Sequence, residues 1–326
     1  RNLMSQPHPD VAAIRTAVRD WLNSYGDYNA NVWVAISGGA DSMSLLAALL
    51  FHGRAGALQV HAVTVDHQLQ EGSTERAQQL TERALSMNCA TAQVAPVTVA
   101  GSSNIESEAR TARYAALDDH CGGATYLLGH TLDDQAESVL MGLGRGSGPK
   151  SIMGMAPLDG ERGRPLLGIR RGQTRAACLA QGIAVWDDPH NDDPRFTRVR
   201  MRNEVLPLLE EILGGGVVAA LGRTATMLQQ DEVALALNAD QLRAALMQIS
   251  TNDGLDGPIL AQFPRGMRTR LIKLWLERNH CRSNLTSAHL TAVEALIMHY
   301  HGQGPVYLPG GATIERVRET ILLTRK

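Results

Sequence analysis

Two short segments have residue types and spacings suited to phosphate chemistry. The first, Ser37-Gly38-Gly39-Ala40-Asp41-Ser42, follows the apolar, β-rich run 32–36 and precedes a helical pattern over 43–50. A strand, a glycine turn and a helix start together form an anion cradle, because glycines let the backbone approach a ligand and free amides at the helix start point at it. The chain contains neither G-x-x-x-x-G-K-[ST] nor a G-x-G-x-x-G after this strand. An ordinary strand–turn–helix corner is the alternative interpretation.

The second segment combines Gly129-His130 with Asp133-Asp134-Gln135-Ala136-Glu137. Asp134 and Glu137 are three residues apart and therefore share one face of a helix. Paired carboxylates beside a phosphate cradle suit Mg²⁺, which prefers oxygen ligands and bridges phosphates, and one of them could instead act as a general base. Carboxylates also favour helix N-termini for structural reasons, so the pair by itself leaves both interpretations open.

Arginines recur at spacings suited to phosphate binding. Arg110 and Arg113 are three residues apart on one helix face, where two guanidiniums can clamp a triphosphate or an RNA phosphate. The alternative is a solvated helix face paired with Glu106 or Glu108. A second basic group is a candidate for holding RNA phosphates or a developing charge, with a charged helix start as the alternative. This group consists of Lys150, Arg195, Arg198, Arg200 and Arg202.

The elements around these residues predict how they are positioned. Apolar periodicity predicts strands and helices that alternate along the first two-thirds of the chain. The expected strands are 32–36, 58–65, 90–97, 124–129, 166–169 and 183–186, and the expected helices are 10–25, 43–50, 73–87, 104–120, 132–143 and 171–181. This alternation predicts an α/β fold with a doubly wound, mostly parallel sheet, in which ligands bind beyond the carboxyl ends of the strands. Asp66-His67 end the second strand and are candidates for a wall of a nucleotide pocket, with a polar strand end as the alternative.

Composition and cysteine usage narrow the class of protein. The 326-residue chain has a net charge of −2 and 4% aromatic residues, which argues against a globally basic RNA binder and against an aromatic base-stacking platform. The four cysteines are far apart and no C-x-x-C occurs, which argues against zinc, iron–sulfur and disulfide frameworks and indicates the cytosol. No run of about 18 apolar residues occurs, so no membrane span is expected. The oligomeric state stays open, with a homodimer as one possibility.

The best signal for a domain boundary is Gly214-Gly215-Gly216. We expect residues 4–213, with Met4 as the start, to form a catalytic domain and residues 214–326 to form a smaller, mainly helical domain. Helices are expected over 217–247, 265–279 and 287–300, a loop over 251–258, and a terminal β element over 305–308, 313–317 and 320–323. Residues 216–326 carry 12 Lys and Arg against 9 Asp and Glu, which weakly favours an RNA-facing module. The long, glycine-rich and basic loop 144–165 is typical of a functional or mobile segment.

Taken together, the motifs resemble those of the tRNA(Ile)-lysidine synthetase family, within the PP-loop ATP pyrophosphatase superfamily. The resemblance covers about residues 32–202 in the family's order, and the Leu-Pro-Gly-Gly segment 308–311 is similar to the first C-terminal domain of that family. A second C-terminal domain, found in longer members, is not expected here. The motifs that carry the resemblance are Ser37–Ser42, Asp66-His67, Asn104-x-Glu106-x-x-Ala109-Arg110-x-x-Arg113-Tyr114, Gly129-His130 with Asp133–Glu137, Arg145-Gly146-Ser147-Gly148, Arg164-Pro165-Leu166-Leu167 and Asp188-Pro189-x-Asn191.

The resemblance implies a two-step, ATP-dependent ligation. ATP adenylates the oxygen on carbon 2 of the wobble cytidine in the CAU anticodon of tRNA(Ile), which releases pyrophosphate. The amine of free L-lysine then displaces AMP to give lysidine. Adenylation makes the cytosine oxygen a good leaving group, so the enzyme's task is positioning and charge stabilisation. The expected ligands are therefore ATP, Mg²⁺, L-lysine and tRNA(Ile) with a CAU anticodon, and the expected location is the cytoplasm.

The same resemblance implies roles for individual residues. The pyrophosphate portion and its Mg²⁺ would be held by Ser37, Gly38, Gly39, Asp41 and Ser42. Asp134 and Glu137 match the family's acidic pair, with lysine or Mg²⁺ as ligand, and Asp41 with Asp134 form the implied metal site. Arg113 and Arg202 match arginines near the reacting phosphate and base. The expected catalytic residues are Asp41, Arg113, Asp134, Glu137 and Arg202.

Other positions have implied binding roles or depart from the family pattern. Asp66 and His130 are expected to line the nucleotide pocket. The expected RNA contacts are Arg110, Arg145, Lys150, Arg198 and Arg200. Three residues differ from the family pattern: Gln70 stands in place of arginine, His190 in place of serine and Val199 in place of asparagine.

Two other functional classes remain open at this point. Another PP-loop enzyme, a tRNA thiolase or an amidating ligase, would use the same cradle. Thiolation usually relies on paired or catalytic cysteines, however, and amidating ligases on a glutaminase partner. A nucleotide-binding regulatory protein would keep the cradle without the chemistry, which the intact acidic and arginine pairs disfavour. ATP–pyrophosphate exchange in the presence of tRNA would exclude that last class.

Overall fold

The structure, a computed structural model, describes residues 6–26, 31–54, 58–66, 72–97, 105–146, 148–187, 193–237, 239–250, 254–281 and 285–325. Several predictions fall outside these ranges. They concern Met4, His67, Gln70, Asn104, Ser147 and the 188–192 turn with His190, as well as the side chains of Glu106 and Glu108.

The chain forms two compact units. The first comprises Arg1–Gly144 with Ile152–Met227, and the second comprises Arg145–Ser151 with Leu228–Lys326. The domain boundary predicted at residues 213 and 214 stays a prediction.

The first unit contains a six-stranded sheet flanked by helices. Its strands are β1 (Asn31–Ala35), β2 (Gln59–Asp66), β3 (Thr91–Pro96), β4 (Tyr126–Leu127), β5 (Leu158–Asp159) and β6 (Arg162–Gly163). Its helices are α1 (Pro9–Tyr25), α2 (Ala40–Gly53), α3 (Ser73–Ser86), α4 (Ile105–His120), α5 (Leu132–Arg145), α6 (Pro149–Ile152, which extends from the second unit), α7 (Arg171–Ala180), α8 (Thr197–Arg200), a π-helical turn (Met201–Val205), α9 (Leu206–Ile212) and α10 (Val217–Leu237, which continues into the second unit).

The strand order β3-β2-β1-β4-β6-β5 confirms the predicted doubly wound sheet. All neighbouring pairs are parallel except β5 with β6, and Val34 of β1 pairs with Ala62 of β2 on one side and Leu127 of β4 on the other. The order reverses between β1 and β4. The carboxyl ends of these two strands therefore form the switch point where such sheets bind ligands.

The core explains why the helices pack as they do. The apolar face of α1, with Val18 and Leu22 fully buried, packs against α2 and α7. Val32 and Val34 of β1 point into the same core, as the alternation of side chains along a strand requires. The indole of Trp21 donates to the Pro157 carbonyl over 2.8 Å, which ties α1 to the segment before β5.

Four local predictions were wrong. The predicted loop 144–165 contains α6, β5 and β6. Residues 166–169 form turns and a bend rather than a strand, and residues 183–186 form no strand with any described part of the chain. The sheet instead takes β6, whose Gly163 pairs with Leu127 on the edge of β4 opposite β1. The predicted loop 251–258 contains a strand and a helix start, where Asp256 accepts a bond from the Ile259 amide as an N-cap.

The second unit combines helices with a four-stranded antiparallel sheet in the order β7-β10-β9-β8. Its elements are α11 (Ala239–Ile249), β7 (Gly254–Asp256), α12 (Gly257–Ala261), α13 (Arg265–Arg278), α14 (Ser287–Met298), β8 (Val306–Tyr307), β9 (Ala312–Val317) and β10 (Thr320–Arg325). This arrangement confirms the predicted helical region with a terminal β element.

Within the described ranges, no single helix has the length and apolarity needed to cross a membrane. Thr197–Ile212 and Val217–Val233 meet those criteria of length and composition only as a pair, and the pair is bent by 98°.

Candidate active site

The loop Ser37–Ser42 connects β1 to α2 in the predicted strand–turn–helix geometry. Gly38 has a φ of +84°, a conformation that favours glycine, and Gly39 is the N-cap of α2. The Ser42 hydroxyl accepts from the Ser37 amide over 3.1 Å and donates to the Gly39 carbonyl over 3.0 Å. The Trp186 amide donates to the Gly38 carbonyl over 2.9 Å. Hydrogen bonds within the loop, and one from the segment after α7, therefore stabilise the turn.

Gly129, just after β4, lies directly against this helix start. A Cβ atom at Gly129 would lie 2.9 Å from the Asp41 carbonyl carbon and 2.9 Å from the Ser42 amide nitrogen. Both are backbone atoms, which cannot swing aside as a flexible side chain would. The absence of a side chain at residue 129 therefore lets the second predicted segment approach the first.

Arg171, at the first turn of α7, joins the acidic residues of both segments. Its Nη2 donates to Asp134 Oδ1 over 2.6 Å, its Nε lies 3.4 Å from Asp41 Oδ2, and its Nη1 lies 3.6 Å from Glu137 Oε1. We call Asp41, Asp134 and Glu137 the carboxylate cluster. Arg202 also contacts it, with its Nε donating to Glu137 Oε1 over 2.8 Å. The cluster thus faces two guanidiniums and keeps one formal negative charge when all five groups are ionised.

Hydroxyl groups orient two of these carboxylates. The Thr174 hydroxyl on α7 donates to Asp41 Oδ1. The Thr131 amide and hydroxyl both donate to Asp134 Oδ2 over 2.8 Å. Each carboxylate therefore has one oxygen held by neutral donors and the other turned to Arg171.

Burial and charge shift the pKa values of the cluster in opposite directions. Burial raises the pKa of Asp41 and of Glu137, and their arginine partners offset only part of that effect. Burial also acts to raise the pKa of Asp134, but the Arg171 charge and the Thr131 hydrogen bonds outweigh it, so that pKa is lowered. Asp134 is therefore the most firmly ionised member, while Asp41 and Glu137 bind protons more readily than exposed carboxyls.

Each polar residue of the Asp133–Glu137 motif has its own contact. Asp133 accepts from the Arg171 amide over 2.8 Å and pairs with the Arg170 guanidinium. Gln135 forms a two-bond pair with the Met155 backbone, donating to its carbonyl over 2.9 Å and accepting from its amide over 2.6 Å. The motif therefore holds α7 and the 153–157 segment in place as well as supplying the two carboxylates.

The two residues predicted to line the nucleotide pocket lie at strand ends. Asp66 ends β2, is buried, and accepts from the Thr74 hydroxyl over 2.7 Å. His130 follows β4, and its Nδ1 is buried without a hydrogen-bond partner among the described residues. Burial lowers the pKa of His130 to about 3, even though Asp134 acts to raise it, so the ring is neutral near pH 7.

The predicted arginines occupy three separate places. Arg110 and Arg113 lie beside the Tyr114 ring, 5.0 and 5.1 Å from its centroid. Arg198 is near enough for its charge to lower the pKa of Arg110, although burial lowers that pKa most. Of the five predicted catalytic residues, Asp41, Asp134 and Glu137 form the carboxylate cluster and Arg202 contacts it, while Arg113 lies beside Tyr114.

Other predicted RNA contacts lie on exposed surface. Arg200 pairs with Glu204 over 2.8 Å, and Lys150 pairs with Glu232 over 3.1 Å within the second unit. Arg145 is exposed at the end of α5. Val199, which departs from the family pattern, is buried. The RNA roles of the exposed residues stay predictions.

Sequence reasoning missed Arg171, Thr174 and Thr131. Arg171 had one local signal, because a cation in the first turn of a helix opposes the helix dipole and so indicates a compensating partner. The two threonines had none, since threonine is common near helix ends.

Carboxylates are also the groups that would hold a metal. Among the residues that the structure describes, no three His, Cys, Asp or Glu side chains lie together as a metal-ligand set. Asp41 and Asp134 nevertheless turn an oxygen to the same guanidinium. Two carboxylates are enough for Mg²⁺ when phosphates and water supply its other ligands, so this pair has the donor chemistry for the ion, at the place that the Arg171 guanidinium occupies.

Comparisons with known proteins show the family of the chain. Residues 12–209 match the PP-loop domain family, and residues 255–322 match the TilS substrate binding domain family. The tRNA(Ile)-lysidine synthase of Rhodococcus erythropolis (strain PR4 / NBRC 100887) is 48% identical over 310 residues, which cover 95% of this chain and 92% of the relative. That of Mycobacterium tuberculosis (strain ATCC 25618 / H37Rv) is 42% identical over 321 residues, which cover 97% of each chain.

A solved structure has a similar fold over about two-thirds of the chain. The U34-tRNA thiolase NcsA from Methanococcus maripaludis superposes with a TM-score of 0.55 and 17% identity, over 68% of this chain and 80% of the thiolase. At this identity the likeness concerns the fold alone. The two family matches and the near full-length relatives establish membership: the chain belongs to the tRNA(Ile)-lysidine synthase family and carries its PP-loop ATP-utilising domain.

Proposed function

We propose that this protein ligates L-lysine to carbon 2 of the wobble cytidine in tRNA(Ile) with a CAU anticodon, using ATP and releasing AMP and pyrophosphate. The observation that carries the proposal is the carboxylate cluster, which Arg171 holds beside the start of α2. It supplies oxygen ligands and a proton acceptor next to a phosphate cradle. The names of the relatives support the same chemistry.

In the first step, the loop Ser37–Ser42 holds the pyrophosphate portion of ATP. Asp41 and Asp134 would hold Mg²⁺, which would offset the negative charge of the phosphates. The cytidine oxygen attacks the α-phosphorus, and the bond to pyrophosphate breaks. The positive end of α2 and the Ser37 and Ser42 hydroxyls stabilise the charge on the leaving group.

In the second step, the lysine nitrogen attacks carbon 2, and the carbon–oxygen bond breaks with its electron pair leaving on AMP. The attacking amine must be neutral and gives up a proton as the new bond forms. Glu137 is the proposed acceptor, because burial raises its pKa and makes it a stronger base than an exposed carboxylate. Arg202, which donates to Glu137, orients its carboxylate.

The cysteines do not favour the thiolase alternative. All four are buried, and burial raises the pKa of Cys89, Cys121 and Cys178 to about 11. Those three thiols are therefore protonated near pH 7, and a thiol is a much weaker nucleophile than a thiolate.

The decisive experiment is incorporation of radiolabelled lysine into unmodified tRNA(Ile) with a CAU anticodon, in the presence of ATP and Mg²⁺. Methionine tRNA with the same anticodon is the control. Label in the isoleucine tRNA alone is the expected result. Pyrophosphate release without label in either tRNA would contradict lysine transfer. The thiolase and amidating-ligase alternatives would then have to be tested. A homodimer stays a prediction that light scattering can test.

A further inference from the structure

A cleft of about 540 Å³ opens between α4 and the 154–164 segment of the first unit. Its lining includes Arg110, Tyr114, Met155, Arg162 and Arg164, and we call it the arginine cleft. The lining residues include none from the loop Ser37–Ser42. The arginine cleft is therefore separate from the phosphate cradle.

Arg164 carries a buried charge whose ion pair, with Asp159 in the lining of the same cleft, is long. The residue is 5% exposed, and its Nη1 donates to the Ala156 carbonyl over 2.9 Å. The carboxylate of Asp159 is 3.8 Å from Nη2, beyond hydrogen-bond distance, and its side chain is 67% exposed to water. The Nε of Arg164 is buried and has no acceptor among the described residues. Burying a guanidinium in this way is costly unless an anion completes the site.

The surroundings of Arg164 are also positive. Arg110 and Arg113 flank Tyr114, and the Nε of Arg113 is likewise buried without an acceptor within the described part of the chain. The pKa of Arg110 is lowered by burial first and then by the positive charges around it, including that of Arg164. An anion in the arginine cleft would offset the repulsion between these positive charges.

Arg162 lines the same cleft but differs from Arg164 in its contacts. Its guanidinium lies 4.4 Å from the Tyr114 centroid, donates to Asp118 over 2.5 Å and donates to the Tyr126 hydroxyl over 2.9 Å. Its charge and donors are thus satisfied inside the protein. Arg164 has fewer partners of this kind. We therefore assign Arg164 a role in ligand binding and Arg162 a structural role.

The arginine cleft also lies close to the carboxylate cluster. The charges of Asp134 and Arg164 both act on the pKa of His130, so His130 lies near both groups. Gln135, next to Asp134 in the chain, holds Met155 in the cleft wall through two hydrogen bonds. The wall of the arginine cleft is therefore tied to the helix that carries Asp134 and Glu137.

We propose that the arginine cleft binds one backbone phosphate of the anticodon loop, adjacent to the modified nucleotide, through Arg164 and Arg110. The inference rests on the proposed function, because it takes tRNA as the substrate. An enzyme acting on one base of an RNA needs phosphate contacts to set its register, and guanidiniums match phosphate oxygens in geometry and charge. The cleft supplies these contacts outside the cradle that receives ATP.

The first test measures the affinity of the full-length protein for unmodified tRNA(Ile) between about 50 and 200 mM salt. We expect Arg164→Gln and Arg110→Gln each to weaken binding about tenfold, as the loss of a charged hydrogen bond predicts. The slope of log affinity against log salt should become shallower by about 0.7 to 1. Arg19→Gln, which removes one exposed arginine from α1, is the matched control and should change neither quantity.

The second test identifies the phosphate. Synthetic anticodon stem-loops carry one neutral methylphosphonate at each loop position in turn. Wild-type protein should lose affinity at one position adjacent to the target cytidine, and Arg164→Gln should show no further loss at that position. If no position couples to residue 164, the proposal is overturned. Arg110→Gln provides the same coupling test if Arg164→Gln fails to fold.

Two further outcomes separate the possible failures. If the cleft variants weaken ATP binding while their tRNA salt slope equals that of the wild type, the cleft serves a nucleotide phosphate and the proposal is wrong. If wild-type protein incorporates no lysine into tRNA(Ile), the proposed function itself fails. Normal lysine incorporation together with unaltered tRNA binding by both cleft variants would overturn the arginine cleft alone.

Discussion

The Nη2 of Arg171 lies 2.6 Å from Oδ1 of Asp134, and the same guanidinium reaches Asp41 and Glu137. Asp41 follows β1 and Asp134 follows β4, so Arg171 joins the two strand ends at the switch point of the sheet. The charge interaction also opposes the effect of burial, because burial lowers the pKa of Arg171 and raises those of the carboxylates, while the carboxylates act to raise the pKa of Arg171 and Arg171 acts to lower theirs. Arg171 is thus the shared counter-ion of the carboxylate cluster.

Replacing Arg171 with methionine should impair both stability and activity. The three carboxylates would lose their shared cation, and we expect the free energy of unfolding to fall by about 3 kcal/mol. Lysidine formation should fall by roughly 100-fold, as expected for a misplaced charged group in a preorganised site. Arg175→Met, on the same helix but exposed and paired with Asp187, is the control and should cost at most about 0.5 kcal/mol. Urea unfolding and single-turnover lysine incorporation measure the two effects, and equal behaviour of both variants would contradict the assignment.

Asp41 should make stability depend on pH in a defined direction. Its folded pKa is raised above the unfolded value of about 3.9, so the folded state binds this proton more tightly. That contribution to stability is complete below the unfolded pKa and is lost as the pH rises through the folded pKa. The unfolding free energy of the wild type relative to Asp41→Asn should therefore decrease from about pH 4 to about pH 7. Urea unfolding of both proteins at both pH values tests this. An increase in the free-energy difference with pH would show that the pKa of Asp41 is lowered by folding and not raised.

The Asp41 carboxylate should also be required for adenylation. Asp41→Ala is expected to fold and to lose ATP–pyrophosphate exchange in the presence of tRNA by at least about 100-fold. Full exchange by a folded Asp41→Ala protein would remove Asp41 from the cradle.

Glu137 should matter more for lysine transfer than for adenylation. Glu137→Gln keeps the shape of the side chain but removes the proposed proton acceptor, so lysine incorporation should fall by about 100- to 10,000-fold. Pyrophosphate release in a single turnover should fall far less. Rapid-quench measurement of both products distinguishes the steps, and a parallel loss of both would assign Glu137 to adenylation instead.

Gly129 should tolerate no side chain. Gly129→Ala places a Cβ atom 2.9 Å from backbone atoms of Asp41 and Ser42, and overpacking of this kind typically costs about 1–3 kcal/mol. The shift would move the start of α2, so pyrophosphate exchange should fall as well. Gly168→Ala is the control, since a Cβ there meets nothing within 4 Å. Thermal unfolding and exchange assays compare the two, and a neutral Gly129→Ala would refute the close contact.

The sequence by itself determined the parts of the site that depend on local geometry. Strand, glycine turn and helix follow from neighbouring residues, and so does the shared helix face of Asp134 and Glu137. The alternation of strands and helices then implied the switch point, because parallel sheets place their carboxyl ends at one edge. These features were predictable because each depends on residues only a few positions apart.

Tertiary structure decided which charges meet. Arg171 is 37 residues from Asp134 and 130 residues from Asp41 along the chain, and no local pattern encodes such distances. The same holds for β6, which pairs with β4 although residues 166–169 looked more like a strand. Ion pairs and sheet edges depend on contacts between distant segments, and these contacts form only when the whole core packs. Their identity therefore had to come from the folded chain.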